Sequence, residues 1–240
     1  VLEKFGYKDV PDTDLTEWND FLQRYKFPKK EITIGLIGKY IELKDAYISI
    51  YESFIHAGAK NECKVNVERI HSEEIHKNNL KEKLGHLDGI FVAPGFGLRG
   101  MDGKIFAIQY ARENNIPFLG ICYGMQLSVV EFAKNVLKLD CNTTEIEPDT
   151  QNKIVYVMDS WINKSGENQS ADLQKLGGTM RLGGYEIDIL NSTLAHEIYG
   201  KNQIRERHRH RYDVNHEYIE MIEKAGPKFS GFANFNSEIP

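Results

Sequence analysis

The chain has 240 residues and a mass of 27.6 kDa, which is enough for one large domain, or two small ones, with a proper hydrophobic core. Hydrophobic residues make up 41% and charged residues 27%, a composition typical of soluble globular proteins that excludes wholesale disorder. The net charge of −5 argues against nucleic-acid binding through a globally basic surface, and no apolar run approaches the roughly 20 residues that cross a bilayer. Three scattered cysteines are too few for a disulfide framework or a CxxC metal site, so we expect a cytoplasmic protein without a metal.

The first thirty residues are predicted to be an appendage. Asp14 and Glu17 have the spacing of a capping box, and apolar residues follow at helical spacing until Pro28, namely Leu15, Trp18, Phe21, Leu22 and Tyr25. A single amphipathic helix cannot bury its apolar stripe alone. We therefore assign residues 1–30 to an interdomain linker with one amphipathic helix, and residues 31–240 to the main domain.

From Ile32 onward the pattern changes to strands that alternate with helices. The predicted strands are 32–37, 63–70, 88–93 and 117–121, and the predicted helices are 46–57, 80–84, 105–114 and 124–137. This alternation predicts an α/β fold with three layers, in which helices flank a mainly parallel sheet. Ligands of such sheets bind at the carboxyl ends of strands, where the loops after Ala93 and at Cys122 fall.

In the second half of the chain, the alternation of strands and helices is less clear. Residues 160–175 are polar and are predicted to be a mobile surface loop, 185–190 a strand, and 217–224 the last helix. Arginine and histidine alternate through 205–212, and the arginines discourage a proton or a metal on His208 and His210. The run therefore suits an anion clamp better than a general base.

The sharpest chemical signal is the segment 120–124, Gly-Ile-Cys-Tyr-Gly, between a predicted strand and a predicted helix. It has the form of a nucleophile elbow with sulfur in place of oxygen. Gly120 and Gly124 permit a sharp turn that exposes Cys122, and the following helix directs its positive end at the sulfur, which favours the thiolate. We predict that Cys122 is a nucleophile. The alternative is a small buried core residue.

A glycine-rich turn, Pro-Gly-Phe-Gly at 94–97, follows the preceding predicted strand. Beside a cysteine elbow, such a turn can direct backbone N–H groups at a developing oxyanion, although alone it would indicate only a tight turn. A nucleophilic cysteine also needs a base. None of the eight histidines is identified as that base by its sequence context.

Five segments together resemble the class I glutamine amidotransferase domain of CTP synthases, at 38–47, 94–100, 117–126, 177–183 and 206–215. The resemblance covers about residues 32–231 and implies a flavodoxin-like sheet. It implies that a cysteine thiolate attacks the amide carbon of L-glutamine, that ammonia leaves and that water hydrolyses the thioester. The ammonia would aminate UTP to CTP on an amidoligase domain, which would bind ATP, Mg²⁺ and UTP, with GTP as allosteric activator. No cofactor is implied in the present domain, and the full-length protein would be a homo-oligomer.

The resemblance also assigns roles by position. The nucleophile would be Cys122, and backbone N–H groups of Gly95, Phe96 and Tyr123 would form the oxyanion hole. The glutamine pocket would comprise Gly95, Tyr123, Gly124, Met125, Gln126, Glu145 and Arg211. Glu145 would bind the α-ammonium and Arg211 the α-carboxylate, a charge pair that selects the free amino acid. Without the resemblance, these two residues would be interpreted as a surface salt bridge.

The chain departs from the family in three places. Pro94 replaces a glycine and lacks an N–H, and Tyr123 stands where leucine is usual, which would alter the rim of the pocket. The His-Pro-Glu motif that carries the base is expected just beyond Pro240, so we expect a domain truncated there to hydrolyse glutamine at a negligible rate. Two alternatives stay open, namely a non-catalytic module that binds a nucleotide or partner, and a γ-glutamyl cysteine hydrolase on the same fold.

Overall fold

The computed structural model describes residues 2–7, 13–157, 160–162, 168–170 and 181–233. The helices are α1 Thr16–Lys26, α2 Ile48–Lys60, α3 Leu80–Leu84, α4 Met101–Glu113, α5 Tyr123–Asn135, α6 Leu194–Tyr199 and α7 Ile219–Lys224. The strands are β1 Lys30–Gly38, β2 Cys63–His71, β3 Gly89–Val92, β4 Phe118–Gly120, β5 Cys141–Thr143, β6 Asn152–Val157, β7 Ser160–Ile162, β8 Asn168–Ser170, β9 Arg181–Ile189, β10 Gln203–His210, β11 Tyr212–Val214 and β12 Gly231–Ala233. Among the described helices, none combines the length and the apolar character needed to span a membrane.

Four strands form a parallel sheet in the order β2-β1-β3-β4. Parallel neighbours require a crossover, and each crossover here contains a helix. Each predicted strand of this sheet is present and differs from the prediction by at most two residues at either end. The predicted α/β fold with a mainly parallel central sheet is confirmed.

The sheet is covered on both faces because successive side chains of a strand point to opposite sides. Leu36 and Phe91 pack with α2, where the ring of Phe54 meets that of Phe91 edge-on at 5.5 Å. Ile37 and Val92, one residue further along each strand, pack with α4 and α5 instead. The sheet and its two flanking helical layers form the predicted three-layer arrangement.

The register of the sheet places two loops side by side. Val92 at the end of β3 lies opposite Gly120 at the end of β4. Because parallel strands end at the same edge of a sheet, the loop 93–97 and the turn into α5 are neighbours. This edge holds the candidate site.

Outside the parallel sheet the structure differs from the predictions. Strands β11, β6 and β5 form one small sheet, and β10, β9 and β12 form another. The prediction that residues 160–175 form a surface loop is wrong at β7 and β8, which pair as an antiparallel ribbon. The rest of that loop, and the first four residues of the segment 177–183, lie outside the described residues.

Helix α1 is present as predicted and lies against α2. The ring of Phe21 is 5.6 Å from the imidazole of His56, while Trp18 and Tyr25 stay exposed. The predicted capping box would join Asp14 to Glu17. Instead, the carboxylate of Asp14 accepts a hydrogen bond from the N–H of Thr16 at 2.9 Å. The boundary between a linker and a main domain at residue 30 stays a prediction.

The turn between β4 and α5 is tightly packed against β3. A Cβ added to Gly124 would lie 2.2 Å from the carbonyl oxygen of Val92, and one added to Gly120 would lie 2.5 Å from the carbonyl carbon of Gly124. Neither distance is possible for a real side chain beside backbone atoms. Glycine at both positions lets α5 approach β3.

We expect Gly124→Ala to lower the free energy of unfolding by roughly 1–3 kcal/mol, because the added methyl forces α5 away from β3. Gly89→Ala is the matched control, since its added Cβ would make only ordinary contacts at 3.6 and 3.7 Å. Urea denaturation of both variants measures the effect. Equal stability of Gly124→Ala and the unsubstituted chain would contradict this packing.

Candidate active site

Cys122 occupies a strained backbone conformation. It has φ 54° and ψ −109° between the end of β4 and the first residue of α5. Non-glycine residues rarely adopt positive φ, and such strain persists only where the surrounding structure imposes it. The strand, sharp turn and helix of a nucleophile elbow are therefore present around the cysteine.

The cysteine faces a wide groove and is not sealed in the core. The groove has a volume of about 1860 Å³ and is lined in part by Gly95, Phe96, Cys122, Met125 and Gln126. The thiol is partly exposed, and its Sγ lies 3.7 Å from the carbonyl oxygen of Arg209 on β10. This placement disagrees with the alternative that Cys122 is a buried core residue.

The carbonyl groups of the loop 93–97 are held by three side chains. The ammonium of Lys104 donates to the carbonyl of Ala93 at 2.8 Å, and that of Lys39 donates to the carbonyl of Phe96. The hydroxyl of Tyr123 donates to the carbonyl of Gly97 at 3.2 Å. The loop is thus fastened at three of its five residues.

Glu145 and Arg211 lie at the same site with unsatisfied atoms. Oε1 of Glu145 accepts a hydrogen bond from the N–H of Gly97 at 2.6 Å. Oε2 of Glu145 and Nε of Arg211 are both buried and have no hydrogen-bond partner among the described residues. The interpretation of these two residues as a surface salt bridge is therefore wrong.

The remaining predicted residues differ in what they contact. Tyr123 is buried, with 1% of its surface exposed, so the expectation that it alters the rim of the pocket is wrong. Gln126 lines the groove but is itself buried, and its amide donates to the carbonyl of Tyr212 at 2.7 Å. Met125 is 38% exposed, and Gly124 is packed on β3.

The histidines of the run 205–212 pair with each other. Nδ1 of His210 lies 3.0 Å from the carbonyl oxygen of Tyr212 and therefore carries a proton, and its Nε2 lies 2.9 Å from Nδ1 of His208. The anion clamp predicted for the run stays a prediction, and Arg211 is the member of the run with a buried, unpaired donor at the site.

Two lysines at the site were missed by the sequence analysis. Lys39 follows β1, and Lys104 lies on α4, with 5% and 0% of their surfaces exposed. Lys104 falls on the buried stripe of α4 with Met101, Ile108 and Ala111. A lysine on an apolar stripe is a signal for a buried charge, because lysine is almost never buried without a partner.

Burial controls the charge state of the site. It is the largest influence on the pKa of the Cys122 thiol and raises it, and the charge of Glu145 raises it further. The N–H of Tyr123 and the charges of Lys104 and Arg209 lower this pKa but do not outweigh burial. The predicted effect of the helix terminus thus exists but is the weaker one, and the resting sulfur is a thiol.

The cations at the site outnumber the carboxylate. Burial lowers the pKa of Lys104 to about 8, with a further contribution from the nearby charge of Lys39. Burial raises the pKa of Glu145, opposed by the N–H of Gly97 and by the charges of Lys39, Arg211 and Lys104. Among the described residues, three cations thus act on one carboxylate at this groove, an arrangement suited to an anionic group and to a thiolate.

We expect Glu145→Gln to shift the alkylation of Cys122 by iodoacetamide to lower pH, because the substitution removes a negative charge that opposes the thiolate. The rate at pH 7.5 should rise about two- to tenfold. Peptide mapping separates Cys122 from the buried Cys63 and Cys141. Asp149→Asn removes an exposed carboxylate a few residues further along the chain and serves as control. If the pH midpoint of alkylation were unchanged or higher in Glu145→Gln, the charge of Glu145 would not act on the sulfur.

Comparison with known proteins places this geometry in a family. The family model "Glutamine amidotransferase class-I" matches residues 42–239. The CTP synthase of Flavobacterium johnsoniae is 52% identical over 232 residues, which are 96% of this chain and 42% of that protein. The CTP synthase of Methanocaldococcus jannaschii is 48% identical over 238 residues, again 96% of this chain and 42% of the relative. The chain thus spans less than half the length of these curated relatives.

A solved structure shows the same fold and sequence similarity. The glutaminase domain of Trypanosoma brucei CTPS, solved with bound acivicin, aligns with a TM-score of 0.73 and 35% identity. The alignment covers 86% of this chain and 78% of that domain. The chain therefore belongs to the class-I glutamine amidotransferase family, among the glutaminase domains of CTP synthases.

Proposed function

We propose that, in the whole protein, this domain hydrolyses free L-glutamine to glutamate and ammonia through a thioester on Cys122. The observation that carries the proposal is the pair of buried, unpartnered atoms at the site, Oε2 of Glu145 and Nε of Arg211. Buried polar atoms without partners are costly, so their presence beside a strained cysteine requires an explanation. An α-amino acid carries the ammonium and the carboxylate that satisfy both.

The chemistry follows from the groups around the sulfur. The thiolate of Cys122 attacks the amide carbon of glutamine, a C–S bond forms, and the carbonyl oxygen becomes negative. Backbone N–H groups of Gly95, Phe96 and Tyr123 are the donors proposed for that oxygen. The C–N bond then breaks, the nitrogen leaves as ammonia after taking a proton, and water hydrolyses the thioester to glutamate.

The proton of the thiol needs a base, and the one we propose is the histidine of the His-Pro-Glu motif that the family resemblance implies. Residues 234–240 lie outside the described part of the chain. The hydrogen bond that the structure gives Sγ is to the backbone carbonyl of Arg209, which accepts a hydrogen bond but is too weak a base to remove the proton. The experiments below therefore use reactions that need the nucleophile and the amino-acid pocket but no general base.

We further propose that the ammonia aminates UTP to CTP in an ATP-dependent reaction on an amidoligase domain. Support comes from the relatives, which are CTP synthases more than twice the length of the matched segment. ATP, Mg²⁺ and UTP would bind that second domain, and GTP would activate the coupled reaction. Residues 1–30 would join the two domains, and the whole protein would be a homo-oligomer in the cytoplasm.

The two alternatives from the sequence have less support. A non-catalytic module would not need a strained, partly exposed cysteine. The relatives are CTP synthases rather than γ-glutamyl peptide hydrolases. A γ-glutamyl peptide that is hydrolysed faster than glutamine would favour the hydrolase.

We expect a chloroketone analogue of L-glutamine, in which CH₂Cl replaces the amide NH₂, to alkylate Cys122. The sulfur forms a bond to the CH₂ carbon and chloride leaves, so intact mass and peptide mapping report the product. Arg211→Met should raise the half-saturating concentration of the chloroketone at least about tenfold, because the α-carboxylate of the reagent loses a charged partner. The matched control is Arg205→Met, which removes an exposed arginine of β10 that pairs with Glu186.

Blocked reagents test the pocket itself. Chloroketones whose α-amine is acetylated, or whose α-carboxylate is an amide, should alkylate Cys122 far more slowly than the free amino acid. A glutamine site at Glu145 and Arg211 would be contradicted if the blocked reagents labelled Cys122 as fast as the free amino acid does. It would also be contradicted if Arg205→Met weakened labelling as much as Arg211→Met does.

A further inference from the structure

The loop 93–97 is held by two lysines, and burying their charges costs free energy of folding. Lys104 donates from inside α4 to the carbonyl of Ala93 at 2.8 Å, and Lys39 donates to the carbonyl of Phe96. A Cβ added to Gly95 would lie 3.5 Å from Nζ of Lys104 and 3.5 Å from Cε of Lys39. Both side chains therefore pack directly beneath the middle of the loop.

Burying two ammonium groups next to each other opposes folding. Desolvation penalises each charge, and the charge of Lys39 adds to the lowering of the pKa of Lys104. An apolar side chain of similar size at position 104 would pack with Met101, Ile108 and Leu127 of the surrounding core without this penalty. Burial of these charges is thus a cost that the contacts of the lysines with the loop offset only in part, and those contacts indicate the role of the lysines.

Holding a carbonyl orients the N–H groups around it. A trans peptide directs its C=O and its N–H to opposite sides, so the bond from Lys39 to the carbonyl of Phe96 turns the N–H of Gly97 toward Glu145, at 2.6 Å. The N–H groups of Gly95 and Phe96 belong to the two peptides between the fastened carbonyls, which restrict them from both sides. The other donors of the loop are already engaged, since the N–H of Ala93 bonds to the carbonyl of Ile37 at 2.9 Å and that of Gly97 to Glu145, and Pro94 has no N–H.

We propose that Lys39 and Lys104 are positioning residues that hold the loop 93–97 so that the N–H groups of Gly95 and Phe96 face the carbonyl oxygen of glutamine, and that the charge of Lys104 supports the thiolate of Cys122. This inference rests on the proposed glutaminase function. It adds two residues to the site that the resemblance does not assign. The hydroxyl of Tyr123, which holds the carbonyl of Gly97, is the third contact of the same kind.

The charges that face the sulfur and Lys104 set the expected pH dependence. Lys104, Arg209 and the N–H of Tyr123 lower the pKa of Cys122, and Glu145 raises it. Lys104 itself faces Lys39, Glu145, Cys122 and the ring of Tyr123, which is 5.3 Å from its ammonium. Removing the charge of Lys104 leaves Glu145 less opposed, so the pKa of the thiol rises and alkylation moves to higher pH.

The test is the rate of capture of the glutamine chloroketone by Lys104→Met and Lys39→Met. We expect the maximal alkylation rate to fall between about tenfold and a hundredfold for each, because the carbonyl of the reagent loses oriented donors. For Lys104→Met the half-saturating concentration should stay within about twofold, because Glu145 and Arg211 still bind the two ends of the amino acid. Lys77→Met is the matched control, since Lys77 covers the outer side of α4 at 5.5 Å from the ring of Phe106.

Two further readouts separate positioning from general damage. Alkylation of Lys104→Met by iodoacetamide, which does not need the loop, should move to higher pH, whereas that of Lys77→Met should not move. Thermal unfolding shows whether Lys104→Met stays folded, because the substitution removes a buried charge and also leaves the carbonyl of Ala93 without its donor. Lys39→Met provides the independent variant if Lys104→Met does not fold.

The possible failures are distinguishable. If the unsubstituted chain is not captured by the chloroketone, the proposed function is wrong. If the unsubstituted chain is captured and a folded Lys104→Met or Lys39→Met is captured at the same maximal rate, the positioning role is wrong. A rate loss accompanied by an equal rise in the half-saturating concentration would also overturn it, since that pattern indicates a general loss of reagent binding.

Discussion

The close approach of α5 to the end of β3 is the contact on which the site depends. It is possible because Gly124 presents no side chain to the carbonyl of Val92, and it holds Cys122 at φ 54°. The pairing of Val92 with Gly120 places the loop 93–97 beside this turn. Nucleophile and backbone donors thus follow adjacent strands of one sheet, whose register fixes where they lie relative to each other.

The electrostatics of the site are incomplete without an amino acid. Burial keeps the resting sulfur protonated and raises the pKa of Glu145, while Lys39, Lys104 and Arg211 supply positive charge around them. An ammonium beside Glu145 would cancel the charge that opposes the thiolate, and a carboxylate would satisfy Arg211. Substrate binding and activation of the cysteine are therefore coupled in this account through Glu145.

Local patterns predicted the fold better than they predicted the site's chemistry. Each strand of the parallel sheet and each of its helices was predictable because apolar periodicity is a property of neighbouring residues, and helix α3 matched the predicted bounds. The short strands β5, β7 and β8 carry too few residues to show a period. The unpartnered Nε of Arg211 and the raised pKa of Cys122 arise from residues distant in sequence, so no local pattern revealed them, whereas the burial of Lys104 could have been inferred from its place on the apolar stripe of α4.

The most direct test is a crystal structure of the Cys122→Ala variant with L-glutamine at saturating concentration. The account predicts the α-ammonium within hydrogen-bond distance of Oε2 of Glu145, the α-carboxylate on Nε of Arg211, and the amide oxygen facing the N–H groups of Gly95 and Phe96. A glutamine bound in the opposite direction, or a groove that stays without glutamine while Glu145 and Arg211 keep their buried atoms unpaired, would contradict it.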